Sequence, residues 1–267
     1  MPTPKDARPL TAQTIAASIH STFAVARSNL STSLAADCAD IPRKRLNVRV
    51  SVYELISRLP DIDKVRRTSR ALAMLDAVLS PEPEYRYYSF DSRWSPTEET
   101  ALMRNGSGDE YSIVFSPAGA IAQGFDHESP MSPWVHPAGD CWPGLFIGVP
   151  DELAPALDEP AFQDPSGRRS VTVCFWRTPT DDRWLCGPVE GAEQDGADWL
   201  FDLLADGRPE AYLTFAEEYY EVAVELDAVA HVYALMPLTE EIVTALNPEV
   251  LLKNLKDDIA EIGYPRP

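Results

Sequence analysis

The sequence predicts an α+β protein: a helical N-terminal region followed by a mixed domain with an antiparallel sheet and C-terminal helices. Apolar residues recur at helical spacing before residue 80 and again after residue 195. Short aromatic and β-branched runs punctuated by Gly and Pro lie between them. The charge divides at the same place. Residues 1–80 carry 12 Lys and Arg against 7 Asp and Glu, whereas residues 81–267 carry 11 against 35. The two regions, 1–80 and 81–267, join at Ser80-Pro81-Glu82-Pro83, where the proline pair forbids continuous helix.

Residues 11–36, 51–59 and 62–79 read as helices. In the first, Ile15, Ile19, Phe23, Ala26, Leu30 and Leu34 form one apolar stripe. Residues 7–36 hold no acid and many Ser and Thr, as transit peptides do. Arg8 and Arg27 are the sole cations there, so an ordinary amphipathic helix is expected instead. Pro60 separates the second and third helices, and Asp61 is placed to cap the third. Arg43-Lys44-Arg45 falls in a connecting loop. Alone it fits a nucleic-acid or localisation signal; beside so acidic a domain it reads as an electrostatic match.

Tyr85–Phe90 reads as a strand. Asp109–Ser116 and Ala120–Asp126 read as a hairpin around Pro117-Ala118-Gly119, a type I turn closed by a glycine bulge. That register sets Tyr111 opposite Phe125, Ile113 opposite Gln123 and Phe115 opposite Ile121, and keeps one face apolar. A two-residue loop would set Phe115 over Ala120 and split that face, so the bulged hairpin is expected. Val171–Trp176 and Arg183–Cys186 read as a further pair with Trp176 facing Trp184 and Cys174 facing Cys186. Cys38, Cys141, Cys174 and Cys186 show no zinc-type spacing and read as reduced thiols.

Residues 127–170 are rich in Pro and Gly, with a short helix expected at Asp151–Leu157. Asp195 is placed to cap a helix over Ala197–Ala205 that Gly207 stops. Pro209–Tyr220 continues as helix, and Val222–Met236 fits strand or helix equally. Thr239 caps a helix ending at Leu246, and Asn247-Pro248 opens another that Gly263 and Pro265 close.

Named catalytic motifs are absent. There is no GxSxG elbow, no second His after His127-Glu128, no Walker lysine and no dinucleotide fingerprint. No catalytic residue and no cofactor are therefore assigned, and the chain leans away from enzymes. A net charge of −19 disfavours nucleic acid and anionic lipid as partners. No apolar run approaches the ~18 residues a membrane span needs, and no secretory pattern is present, so a cytoplasmic chain is expected.

Two candidate sites remain. The hairpin brings Arg104, Asn105, Asp109 and Glu110 beside Asp126, His127 and Glu128, with Glu110 expected opposite Asp126 and Asp109 opposite His127. Like charges across a ladder repel unless a cation intervenes, whether Arg104, a cationic ligand or a hard metal ion. An ion-pair network closing the hairpin is the plainer alternative. The second candidate is a partner-binding surface. It comprises Trp134 and Trp142 in a Pro- and Gly-rich loop, and the acidic run Glu217, Glu218 and Glu221.

Met103-Arg104-Asn105-Gly106-Ser107-Gly108-Asp109-Glu110-Tyr111, Gly124-Phe125-Asp126-His127-Glu128-Ser129, Pro237-Leu238-Thr239 and Ile262-Gly263-Tyr264-Pro265 resemble a bacterial family of uncharacterised proteins over residues 85–265. The resemblance implies a bacterial cytoplasmic protein and carries no catalytic residue. By size and acidity alone the chain is also similar to immunity proteins that neutralise toxins. The expectation is a non-enzymatic binding protein whose acidic domain meets a basic protein partner. A metal- or ligand-dependent hydrolase centred on the carboxylates and His127 is the alternative. A further possibility is a structural subunit whose basic region docks on the acidic domain of a neighbour.

Overall fold

The computed structural model describes residues 51–266 apart from 137 and 165. The expected helix at 11–36, the basic run at 43–45 and Cys38 lie outside the described residues. The order is α1 (Val52–Arg58), α2 (Ile62–Leu79), β1 (Tyr88–Asp91), β2 (Glu99–Arg104), β3 (Glu110–Ser116), β4 (Gly119–Phe125), β5 (Val173–Arg177) and β6 (Leu185–Cys186). Then follow α3 (Ala197–Leu200), α4 (Asp202–Asp206), α5 (Pro209–Tyr219), α6 (Leu226–Tyr233), α7 (Glu240–Leu246) and α8 (Lys256–Ile262). The six strands form one antiparallel meander in sequence order. The fold is α+β, as expected. Among the described residues no helix is long and apolar enough to cross a membrane.

Helix α2 is the central support of the sheet. Asp61 caps it by accepting from the Lys64 N–H at 2.8 Å. Every residue from Ala71 to Val78 is buried, the pattern of a helix enclosed on all sides rather than on one stripe. Its first half reaches over β2 and β3, where Arg66 and Arg70 both pair with Glu99. The same guanidinium groups lie over the Phe115 and Phe90 rings, burying their stems on aromatic surface.

One carboxylate in this helix holds three elements together. Asp76 accepts from the Tyr88 backbone N–H at 2.6 Å and from the hydroxyls of Tyr212 and Tyr220, each at 2.8 Å. Helix α2 is thereby tied to β1 and to both ends of α5. Asp195 performs a similar task at the other side of the sheet. It accepts from the Val52 N–H at 2.8 Å and the Ala197 N–H at 2.9 Å, so it serves the first turns of α1 and α3 together.

The inner strands β3, β4 and β5 are buried on both faces, and this corrects the expected hairpin register. Ser116 pairs with Gly119, Phe115 with Ala120, Ile113 with Ala122 and Tyr111 with Gly124. The loop is therefore the two residues Pro117-Ala118, not the bulged three-residue turn. The expectation rested on keeping one apolar face, but all seven residues of β4 are buried. A strand covered on both sides carries apolar residues in succession, and alternation then says nothing about register. Gly119 is required by proximity: a Cβ there would stand 2.2 Å from the Arg177 carbonyl oxygen on β5.

The helices cover one face. Tyr111 stacks on Phe201, and a Cβ at Gly124 would strike the Phe201 ring. Residues 127–172 cover the other. There Trp134 packs on Phe125, Phe162 stacks on Trp94, and the Ala156 carbonyl accepts from the Gln123 amide.

Cys186 pairs with Phe175, and Leu185 with Trp176. Trp176 thus does not face Trp184, and Cys174 lies on the opposite face from Cys186. One residue of slip inverts every side chain of a two-residue strand. Trp184 instead packs against Phe175 and donates to the Pro60 carbonyl at 2.5 Å. Cys141, Cys174 and Cys186 are free thiols, as expected.

Other elements differ at their ends. The chain at Pro83–Tyr85 is a 3-10 turn, and β1 begins only at Tyr88. Strand β2, built from the helix-favouring run Glu99–Arg104, has no counterpart in the sequence expectation; pairing on both sides imposes it. The expected helix at 151–157 is a 3-10 turn at Ala154–Asp158. The helix after Asn247-Pro248 forms only from Leu252 onward, as a 3-10 turn leading into α8. Within the ambiguous residues 222–236, Leu226–Tyr233 form helix α6. Thr239 caps α7, while Gly207 and Gly263 end α4 and α8 in the left-handed conformation. Strand β1 meets α8 beyond its end, where the Ser92 N–H donates to the Glu261 carbonyl at 2.8 Å.

Burial outweighs the donors around both central carboxylates. It raises Asp76 from 3.8 to about 6 and Asp195 from 3.8 to about 7. The native state then retains protons that the unfolded chain releases. The stabilisation is complete below 3.8 and is lost as pH rises through about 6 and then 7. Denaturant titrations across this window should show stability falling with rising pH, by on the order of 2–4 kcal/mol per group. Asp76→Asn and Asp195→Asn should each flatten the slope; an unchanged slope in both would contradict this assignment.

Candidate functional site

The loop between β2 and β3 is built around Asn105. Its side-chain oxygen accepts from the Ser107 N–H at 2.8 Å and the Asp109 N–H at 3.1 Å, while its amide donates to Asp109 Oδ2 at 2.6 Å. Gly106 and Gly108 supply the positive φ angles this tight path needs. The result aims the Asp109 carboxylate, fully buried, at the start of the segment leaving β4. There Asp109 Oδ1 accepts from the His127 backbone N–H at 2.8 Å and lies 2.7 Å from His127 Nδ1. A carboxylate oxygen can only accept, so Nδ1 carries the proton of this contact.

Asp126, also buried, is fixed independently. Its Oδ1 accepts from the Glu128 N–H at 3.0 Å, and its Oδ2 accepts from the Trp199 indole N–H at 3.1 Å. Its own N–H donates to Thr172 Oγ1, which in turn donates to the Asp195 carbonyl at 2.7 Å. Gly196, at the start of α3, allows this approach: a Cβ there would sit 2.5 Å from the Asp126 Cβ. The cluster therefore ties the open end of the hairpin to the first turn of α3.

The structure brings Asn105, Asp109, Asp126 and His127 together. It corrects the expected pairing of Glu110 with Asp126, because Glu110 stands opposite Phe125 and Arg104. Arg104 and Glu110 lie on the other face of the sheet, where they form a half-exposed pair at 3.4 Å. Such a pair contributes at most about 1 kcal/mol. Glu128 is exposed beyond the cluster and contributes its backbone N–H. One ligand atom each from Asp109, Asp126 and His127 lie within 4.8 Å of one another, a group that could hold a metal ion.

The aromatic loop divides. Trp134 is 57% exposed, with its indole N–H donating to Ser170 Oγ at 3.2 Å. Trp142 is half-buried, donates to the Glu190 carbonyl at 2.9 Å and packs beside His136. Cys141 donates to the Arg169 carbonyl, and burial raises its thiol above the ordinary value, the opposite of an activated nucleophile.

Glu217 and Glu218 lie exposed at the end of α5, and Glu221, with a φ of 56°, begins the extended run into α6. Glu225 and Asp227 continue this surface, with Val222 and Leu226 exposed among the acids. None of these five acids forms an ion pair among the described residues.

Asp76 and Asp195 carry the most upward-shifted carboxyls, yet sequence reasoning treated one as a cap and passed over the other. The available signal was a lone acid inside the apolar run Ala71–Leu79.

Replacing Asp109 by Ala would leave the part-buried His127 N–H and the Asn105 amide without their acceptor. A loss of about 2–4 kcal/mol in unfolding free energy is expected, with a smaller loss for Asp109→Asn. Equilibrium denaturation of the two variants measures both. Compared with protein-family models, with curated proteins and with solved structures, the chain matches none of them.

Proposed function

We propose that the chain is a non-enzymatic binding protein of the immunity-inhibitor type, whose acidic face meets a basic protein partner. The observation that carries this reading is the exposed stretch from Glu217 to Asp227, where five acids surround Val222 and Leu226 without ion-pair partners among the described residues. Unpaired charge of one sign steers an oppositely charged partner and sets its encounter rate. Exposed aliphatic side chains within the same patch supply the apolar contact that charge alone does not. A full-length chain immobilised on a surface should retain basic proteins that elute as salt rises. The variant Glu217→Lys/Glu218→Lys/Glu221→Lys should retain roughly tenfold less. Retention that ignores salt, or is unchanged by this charge reversal, would remove the proposal.

A second reading has its own support in the group Asp109, Asp126 and His127, whose ligand atoms lie within 4.8 Å of one another. Two carboxylates and one imidazole suit a divalent cation such as Mn²⁺ or Zn²⁺, and would make the hairpin end a hydrolytic or ligand-holding centre. In its favour, both carboxylates are buried and converge with the imidazole at one point. Against it, the oxygens of both already accept hydrogen bonds from neutral donors. Millimolar Mn²⁺ or Zn²⁺ should raise the melting temperature of the native chain and not that of Asp126→Asn. Equal shifts in both would leave the cluster as a structural network.

A further inference from the structure

The acidic face leaves unexplained a cleft between the loop around Trp134 and the segment 164–170. It holds about 430 Å³ and is lined by Trp134, His136, Asp164, Arg168, Arg169 and Ser170, together with Pro133, Ala138 and Gly139. Two neighbouring arginines in a region that carries 11 basic residues against 35 acidic ones are a local reversal of charge. Arg169 is engaged, pairing with Asp158 and lying over the Phe146 ring. Arg168 is not engaged in the same way. Its Nε contacts Ser166 Oγ at 2.9 Å and Asp164 at 3.5 Å, and among the described residues its side-chain hydrogen bonds use Nε alone.

Gly139 leaves room for that guanidinium. With a φ of 68°, its backbone passes close beneath it, and a Cβ there would stand 2.8 Å from Arg168 Nη1. The terminal nitrogens form the planar fork that matches a carboxylate or phosphate. His136 lines the same cleft, with its Nε2 shielded from it, and a hydroxyl faces it as well. Ser170 Oγ accepts from the Trp134 indole and keeps its own proton to give. Trp134 itself is anchored at both ends, by Ser170 and by edge-to-face packing on Phe125 at 4.8 Å between centroids, while 57% of its surface remains open.

We propose that this cleft is a binding site for a small anion carrying an aromatic group: a carboxylate or phosphate monoester on Arg168 and Ser170, with its ring against Trp134. The anchoring makes the indole a preformed wall, so little side-chain entropy is lost on binding. The site is separate from the acidic face and uses the opposite charge.

Phenyl phosphate, benzoate and inorganic phosphate are suitable probes, titrated by calorimetry into the full-length chain at fixed ionic strength. Saturable binding of phenyl phosphate or benzoate is expected, tighter than that of inorganic phosphate. Which of the two aromatic anions binds more strongly distinguishes phosphate from carboxylate as the headgroup. Arg168 is 62% exposed, so Arg168→Gln should fold normally and weaken the aromatic anions by about tenfold. Trp134→Leu should remove the advantage of the aromatic anions over inorganic phosphate. Arg168→Gln binding as tightly as the native chain would overturn the site. So would the absence of saturable binding for all three probes up to about 10 mM.

Discussion

The fold depends on a carboxylate placed where an apolar side chain would ordinarily sit. Asp76 interrupts the enclosed part of helix α2 and is met there by a backbone N–H and two tyrosine hydroxyls. Taking an ion out of water costs several kcal/mol, whereas each hydrogen bond to a charged group returns about 1.5–3 kcal/mol. The upward movement to about 6 shows that desolvation remains the larger effect. What the arrangement contributes is uniqueness. Tyr212 and Tyr220 lie eight residues apart, so about two turns of α5 must arrive at one height and one rotation to satisfy both oxygens. Tyr87 extends the same network, its N–H reaching the Tyr220 hydroxyl at 3.4 Å. An apolar residue at 76 would tolerate sliding of α5 along α2; the carboxylate does not.

Asp195 applies the same logic to the opposite side of the sheet. It joins the first turn of α1 to that of α3 across 143 residues of sequence. Through Thr172 this junction continues to Asp126 and so to the hairpin end. Asp195 is thus linked to the candidate site by hydrogen bonds rather than by charge. The charge resides elsewhere, on the exposed acids after α5. A surface meant for a partner and a network meant for the core use the same residue types, and burial separates their roles.

Much of the helical architecture was legible because its signals are local. Asp61, Thr239, Gly207 and Gly263 act at the ends of their own helices, and each is found where the pattern set it. The sheet was legible only in outline. Strand β2 is written in residues that favour helix, and its conformation comes from two neighbouring strands. The hairpin register was misread because alternation was taken as the guide, although residues 127–172 bury the second face. Nothing in the hairpin itself announces that cover. At the candidate site, Asn105, Asp109, Asp126 and His127 come together, whereas the one-residue slip in register sends Glu110 away from Asp126. The convergence of Arg168 with Trp134 and His136 lies across more than thirty residues, beyond the reach of any local pattern.

The terminal strands have a consequence for how the molecule behaves in a crowded solution. A meander of six strands has two open edges, each a row of backbone groups ready to pair with another chain. Here β6 is two residues long, too short to template a foreign strand. Strand β1 spans four, and immediately beyond it the Ser92 N–H and hydroxyl are both taken by the Glu261 carbonyl of α8. Gly263 ends α8 so close to Ser92 that a Cβ would stand 2.8 Å from it. The long, flat strands β3 and β4 are kept in the interior of the sheet. Brevity at one border and a helix closing the other guard against edge-to-edge association, leaving side chains rather than backbone to choose what the molecule binds.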